Sequence, residues 1–124
     1  MNFILLYIAS GILVLWGIAH IVPTTAVVKG FGELSPDNRH IITMEWVAEG
    51  LALCFIGALV LLVTLLAKPG EAASLIVYRA CAAMLVVMAA WTALTGAKTS
   101  IIPIKICPFV KTLCAILLVA ASLF

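Results

Sequence analysis

The sequence predicts an all-α fold, an integral membrane antiparallel four-helix bundle in a single domain over residues 1–124. Three observations lead there. Apolar residues make up 66% of the chain and charged residues 10%, with a mean hydropathy of +1.34. An ordinary soluble domain is about 45–50% apolar and about 25% charged. The apolar residues gather into four runs, each near the roughly 20 residues that a helix needs to cross hydrocarbon. The breaks between runs carry Pro and Gly, which interrupt helices.

The first helix is predicted at about residues 3–22 and ends at Pro23. It has no positive n-region, its apolar stretch is long, and no small-residue cleavage site follows, so it reads as a retained span rather than a cleaved signal. The second, about 41–67, is closed by Lys68-Pro69-Gly70 and is long enough to tilt or to extend beyond the bilayer. The third, about 74–95, precedes Gly96, and the fourth covers about 104–124. The first connection is the longest and most polar. Its Ser35-Pro36-Asp37-Asn38 stretch reads as a turn, with Asp37 or Asn38 capping the second helix. Val27, Val28 and Phe31 suit the middle of this loop to the membrane interface. The other connections are short, as antiparallel neighbours require.

Within the second run, MEWVAEG places Glu45 and Glu49 four residues apart, hence on one helix face. At about 1.5 Å per residue they lie about 6 Å and about 12 Å inside that span. His20 near the end of the first span matches the depth of Glu45, and Lys111 in the fourth matches that of Glu49. Ionisable residues inside a membrane usually face the bundle interior and pair with one another. A polar cluster of Glu45, Glu49, His20 and Lys111 is therefore expected in the half of the bundle next to the first loop, with Lys98 as a further candidate. The plainer alternative puts Glu45 and Lys98 at headgroup level, lets Lys111 snorkel there, and leaves a protonated Glu49 as interhelical glue. Arg79 is expected to snorkel to the opposite interface.

Trp16, Trp46 and Trp91 fall in the same half. They form either an interfacial aromatic belt or the wall of an apolar cavity suited to a flat, lipid-soluble ligand. Cys54, Cys81, Cys107 and Cys114 contain no C-x-x-C pair and read as small packing residues. His20, Glu45 and Glu49 are an incomplete metal set, so no metal is expected. Gly11, Gly17, Gly50 and Gly57 are expected to let helices approach closely. The net charge of +2 and the lack of a basic cluster exclude a nucleic-acid partner.

GIAHIVP, a first helix closing with G-x-x-H-x-x-P, followed by EWVAEGLALCFIGALVLL, resembles small DoxX-like membrane proteins. The likeness covers about the first half of the chain and singles out Gly17, His20, Pro23 and one of the two glutamates. It departs at the start, where Asn2 precedes an apolar run and that group often carries an arginine. The resemblance implies a four-helix membrane domain, sometimes associated with quinone-linked oxidation or larger oxidoreductase assemblies.

Together these features lead to a membrane protein that binds a lipophilic small molecule such as a quinone. His20, Glu45, Glu49 and Lys111 would supply the polar contacts, and Trp16, Trp46 and Trp91 the ring contacts. No motif assigns a reaction, so electron transfer would need another protein. The alternatives are an oligomeric proton, ion or small-solute transporter subunit and a purely structural membrane subunit. The expected partners are the lipid bilayer, the ligand, and further copies or a larger membrane complex. The expected location is an inner or cytoplasmic membrane, and Lys29, Arg39, Lys98 and Lys105 on one side predict that the termini lie outside.

Overall fold

Asn2 opens the first helix by accepting from the N–H groups of Ile4 and Leu5, which satisfies two donors that lack intrahelical partners. In the computed structural model, which describes residues 1–67 and 70–124, α1 runs Phe3–Ile21, α2 Thr24–Gly30, α3 Pro36–Leu66, α4 Ala72–Leu94 and α5 Ile102–Leu123. A 3-10 turn at Gly96–Lys98 joins α4 to α5. No strand occurs among the described residues. All but α2 belong to segments long and apolar enough to cross a membrane. The chain is thus an all-α integral membrane four-helix bundle whose apolar outer surface contacts lipid.

The ends of the helices differ from the sequence expectation where a cap outranks hydropathy. α3 starts at Pro36 rather than about residue 41, because Ser35 is the N-cap and accepts from the Asn38 N–H at 3.2 Å. Pro36 then occupies the first turn, where its missing N–H costs nothing and its fixed φ favours the helix. The cap is therefore Ser35, not Asp37 or Asn38. At 31 residues α3 is about 46 Å long, well beyond the roughly 30 Å of hydrocarbon. The first connection also contains α2, a short helix against α3 that buries Val28. Lys68 and Pro69, expected to close the second span, lie outside the described residues.

α1 packs mainly on α3, and α4 mainly on α5; α1 also meets α5, whereas α3 and α4 touch only lightly. The Asn2 N–H donates to the Ala121 carbonyl at 3.1 Å, tying the start of α1 to the last turn of α5. Buried positions recur at alternating steps of three and four: Gly50, Leu53, Gly57, Val60 and Thr64 on α3, and Cys107, Lys111, Cys114, Leu118 and Ala121 on α5. Such spacing is the seam of a left-handed bundle.

The α1–α3 contact is close because three glycines line it. A Cβ on Gly17 would stand 2.7 Å from the Gly50 carbonyl oxygen, and one on Gly57 would stand 2.9 Å from the Ser10 carbonyl oxygen. Gly50 likewise faces Ile21 and Gly17. Gly11 does not belong with them, since a Cβ there would meet nothing within 4 Å. Thr64 and Tyr78 form a second polar contact at the far end of the bundle. Their hydroxyls lie 3.0 Å apart, and Thr64 also donates to the Val60 carbonyl. Neither residue stands out in the sequence, where both fall within apolar runs.

Gly17→Ala is expected to lose about 1–3 kcal/mol through overpacking. Gly11→Ala should be neutral or gain up to about 1 kcal/mol from lower chain entropy. Thermal unfolding of the two variants in detergent separates them, and equal shifts would contradict the close α1–α3 approach.

Candidate functional site

The site is built around Lys111, one of the least exposed side chains in the molecule at 1%. It sits on the inner face of α5, one turn after Cys107 and Pro108. Pro108 cannot donate to the carbonyl one turn earlier, so the ladder is broken beside the site. The Lys111 ammonium pairs with Oε1 of Glu49 on α3 and donates to Oγ1 of Thr92 on α4 at 2.7 Å. The Thr92 hydroxyl hydrogen is directed to the Met88 carbonyl at 2.8 Å, which leaves its lone pairs for the ammonium. Three helices thus meet at one nitrogen. Lys111 does not snorkel.

Glu49 is the accessible half of the pair, with 32% of its side chain exposed. Cys107 adds a weaker layer: its Sγ accepts from Nε1 of Trp16 at 3.4 Å and approaches Glu49 Oε1 at 3.9 Å. On the α1 side the rings of His20 and Trp46 stack with centroids 4.0 Å apart and planes 16° from parallel. Trp46 Nε1 donates to the His20 carbonyl at 2.7 Å, and Thr24 Oγ1 donates to that of Ile21. Both carbonyls belong to the last turn of α1, where intrahelical donors run out. The His20 Nε2 atom is buried and has no hydrogen-bond partner among the described residues.

The expected residues divide cleanly. Glu49, Lys111 and Trp16 come together through hydrogen bonds and the ion pair, and His20 and Trp46 form the adjoining stack. Glu45 is exposed and makes no hydrogen bond or ion pair among the described residues. It lies one turn nearer the membrane surface than Glu49, about 6 Å along α3. Lys98 is exposed and unpaired in the same sense, and Trp91 faces outward at 69% exposure, as a belt residue would. The residue of α4 that reaches the cluster is its neighbour Thr92. Thr92 and Cys107 were missed as site residues, although Thr92 continues the three- and four-residue spacing of Tyr78, Cys81, Leu85 and Ala89.

All four cysteines are free thiols. Among the described residues no group of three or more His, Cys, Asp or Glu side chains is arranged to hold a metal ion. Fold and site together define an integral membrane four-helix bundle with an ion pair enclosed near one end. Comparison of the chain with protein-family models, curated proteins and solved structures finds no match.

Removing Glu49 strands a fully enclosed ammonium, whereas removing Lys111 leaves a carboxylate that is one-third exposed. Glu49→Leu is therefore expected to cost about 3–5 kcal/mol, and Lys111→Met clearly less. The double variant should recover most of the loss, because apolar residues of similar volume replace a buried pair well. Unfolding in detergent measures all three. Equal losses for the two single variants would mean that the pair is not enclosed as described.

Proposed function

We propose that this membrane protein binds a lipophilic, ring-bearing small molecule such as a quinone beside His20 and Glu49, as a component of an oxidoreductase system. The observation that carries the reading is the buried, unpartnered Nε2 of His20. A buried polar atom without a partner costs free energy, and a ligand carbonyl or hydroxyl would relieve that cost. Glu49 is one-third exposed and keeps a second carboxylate oxygen beyond the one held by Lys111, so it offers an acceptor to the same ligand. The His20–Trp46 stack presents flat apolar surface, and Trp16 stands across the cluster. A bound quinone would supply two-electron, two-proton redox chemistry, with electrons from another protein.

The likeness to DoxX-like proteins belongs to the same proposal. What supports it is that Gly17 lies in the close α1–α3 contact and His20 in the stack, with Pro23 forming the turn that follows α1. The proposed setting is an inner or cytoplasmic membrane, with the side bearing Lys29, Arg39, Lys98 and Lys105 in the cytoplasm and the termini outside. A proton or ion path is less well supported. Between the Glu49–Lys111 pair and the Thr64–Tyr78 contact the core is Leu13, Leu53, Ile56, Val60, Leu85 and Leu118, so transport would require several copies.

Native mass spectrometry with lipid extraction tests the proposal on wild type, His20→Ala, Glu49→Gln and, as an outward-facing control, Trp91→Phe. The expected result is a quinone retained by wild type and the control and lost from His20→Ala at unchanged thermal stability. Glu49→Gln, which keeps an oxygen for Lys111, should weaken retention. Ligand-free wild-type protein, with the variants altering only stability, would assign the cluster to helix register instead.

A further inference from the structure

Away from this site, a shallow cavity of about 500 Å³ lies between α4 and α5 on the outer face of the bundle. Ala82, Ala83, Ala115 and Ala120 contribute small side chains to its lining, and Val86 and Ile116 contribute bulkier ones. From Thr112 to Phe124, both of which line it, α5 advances about 18 Å. That is close to one leaflet of the roughly 30 Å hydrocarbon layer. The lining side chains are apolar apart from Thr112 at the inner end and one charged group, Arg79.

Arg79 is exposed on α4 and makes no hydrogen bond or ion pair with any described residue. It stands about 10 Å along the helix from Ala72. A guanidinium stays protonated under all ordinary conditions, and leaving it unpaired at that depth is costly. Its stem can carry the head group outward along the helix, where its planar fork matches phosphate oxygens in two parallel hydrogen bonds.

We propose that this groove is a binding site for an anionic phospholipid of the leaflet at the α3–α4 end, with one acyl chain along α4 and α5 and the phosphate on Arg79. Charge complementarity favours lipid over a second copy of this chain. Another bundle would bring its own guanidinium, and the acidic residue nearest to it along α4 is Glu71 at the helix start, about 12 Å away along the axis. The site shares no residue with the Glu49–Lys111 cluster, so it does not depend on the ligand proposed there.

Delipidated wild-type protein, Arg79→Gln and Ala83→Trp are each titrated in detergent with phosphatidylglycerol and with phosphatidylcholine of the same chains, and read by native mass spectrometry. Wild type is expected to prefer phosphatidylglycerol by about fivefold, the worth of one cation at a membrane surface. Arg79→Gln should bind both lipids equally, and Ala83→Trp should lower both by filling the groove while circular dichroism stays unchanged. Equal binding of the two lipids by wild type would overturn the proposal. So would an unchanged preference in Arg79→Gln, or a dimer that disappears in Ala83→Trp without any lipid adduct in wild type.

Discussion

An ammonium group that cannot reach water constrains this bundle more than any apolar contact does. Lys111 sits where α3, α4 and α5 converge, and its charge is tolerable there only because Glu49 and Thr92 meet it. Desolvation of such a pair offsets most of its Coulomb attraction, so it contributes little net stability, but losing one partner is expensive. The consequence is geometric. α1 with α3 and α4 with α5 form the two well-packed pairs, and α3 barely touches α4. The Glu49–Lys111–Thr92 contact joins the two pairs on that thin side, while α1 against α5 joins them on the other. A slip of either pair by one turn would separate the charges by about 5 Å, so the ion pair selects one register from several that apolar packing alone would accept.

The spans were legible because hydrocarbon thickness sets a length, and length can be counted on a sequence. Depth was legible for the same reason: counting from the starts of the second and fourth spans, which lie on the same side, put Lys111 level with Glu49, and the two are in contact. Rotation about each helix axis was not. A helix in water shows which way it faces through its polar side, but these helices are apolar on every side, lipid-facing and core-facing alike. Trp91 and Thr92 are neighbours in sequence, about 100° apart around the axis. Nothing in the local pattern favours one over the other, and only the long run of three- and four-residue steps assigns Thr92 to the interior. Glu45 and Glu49 share a face, yet only the deeper one has a cation to meet. Helix starts were misjudged by hydropathy, because Ser35-Pro36 begins α3 through hydrogen bonding and fixed backbone geometry well before the apolar run begins.

Polar contacts between helices form two layers, and the buried Ser10 between them bonds only within its own helix, to the Leu6 carbonyl. The ion pair with Cys107, Trp16 and the His20–Trp46 stack occupies one, and Thr64 with Tyr78 occupies the other. On α3 the two are separated by the 15 residues from Glu49 to Thr64, about 22 Å of helix. Closed, apolar packing of Leu13, Leu53, Val60, Leu85 and Leu118 fills the interval. This division fits the proposed binding of a molecule at one level better than conduction of one through the bundle. That distinction separates a binding role from a transport role more sharply than the count of charged residues does.

What such a molecule would have to be follows from the hydrogen-bonding capacity left over. Lys111 directs one N–H to Glu49 and another to Thr92, and it has no route to solvent. Thr92 has directed its hydroxyl hydrogen to Met88, and Trp16 and Trp46 have each used their single N–H. Besides the enclosed third N–H of Lys111 and the other His20 ring nitrogen, the capacity that remains is an acceptor on Glu49 and the Nε2 atom of His20, which donates or accepts according to its tautomer. A ligand matched to this arrangement presents a hydroxyl to the carboxylate and a carbonyl or hydroxyl to the imidazole, on a flat apolar frame able to lie beside the Trp46 ring. A phosphate or a carboxylate would be repelled by Glu49. On the proposed reading the site thus favours neutral, ring-bearing, hydroxyl- or carbonyl-substituted molecules over anionic ones, and the lipid site proposed at Arg79 would favour the opposite class.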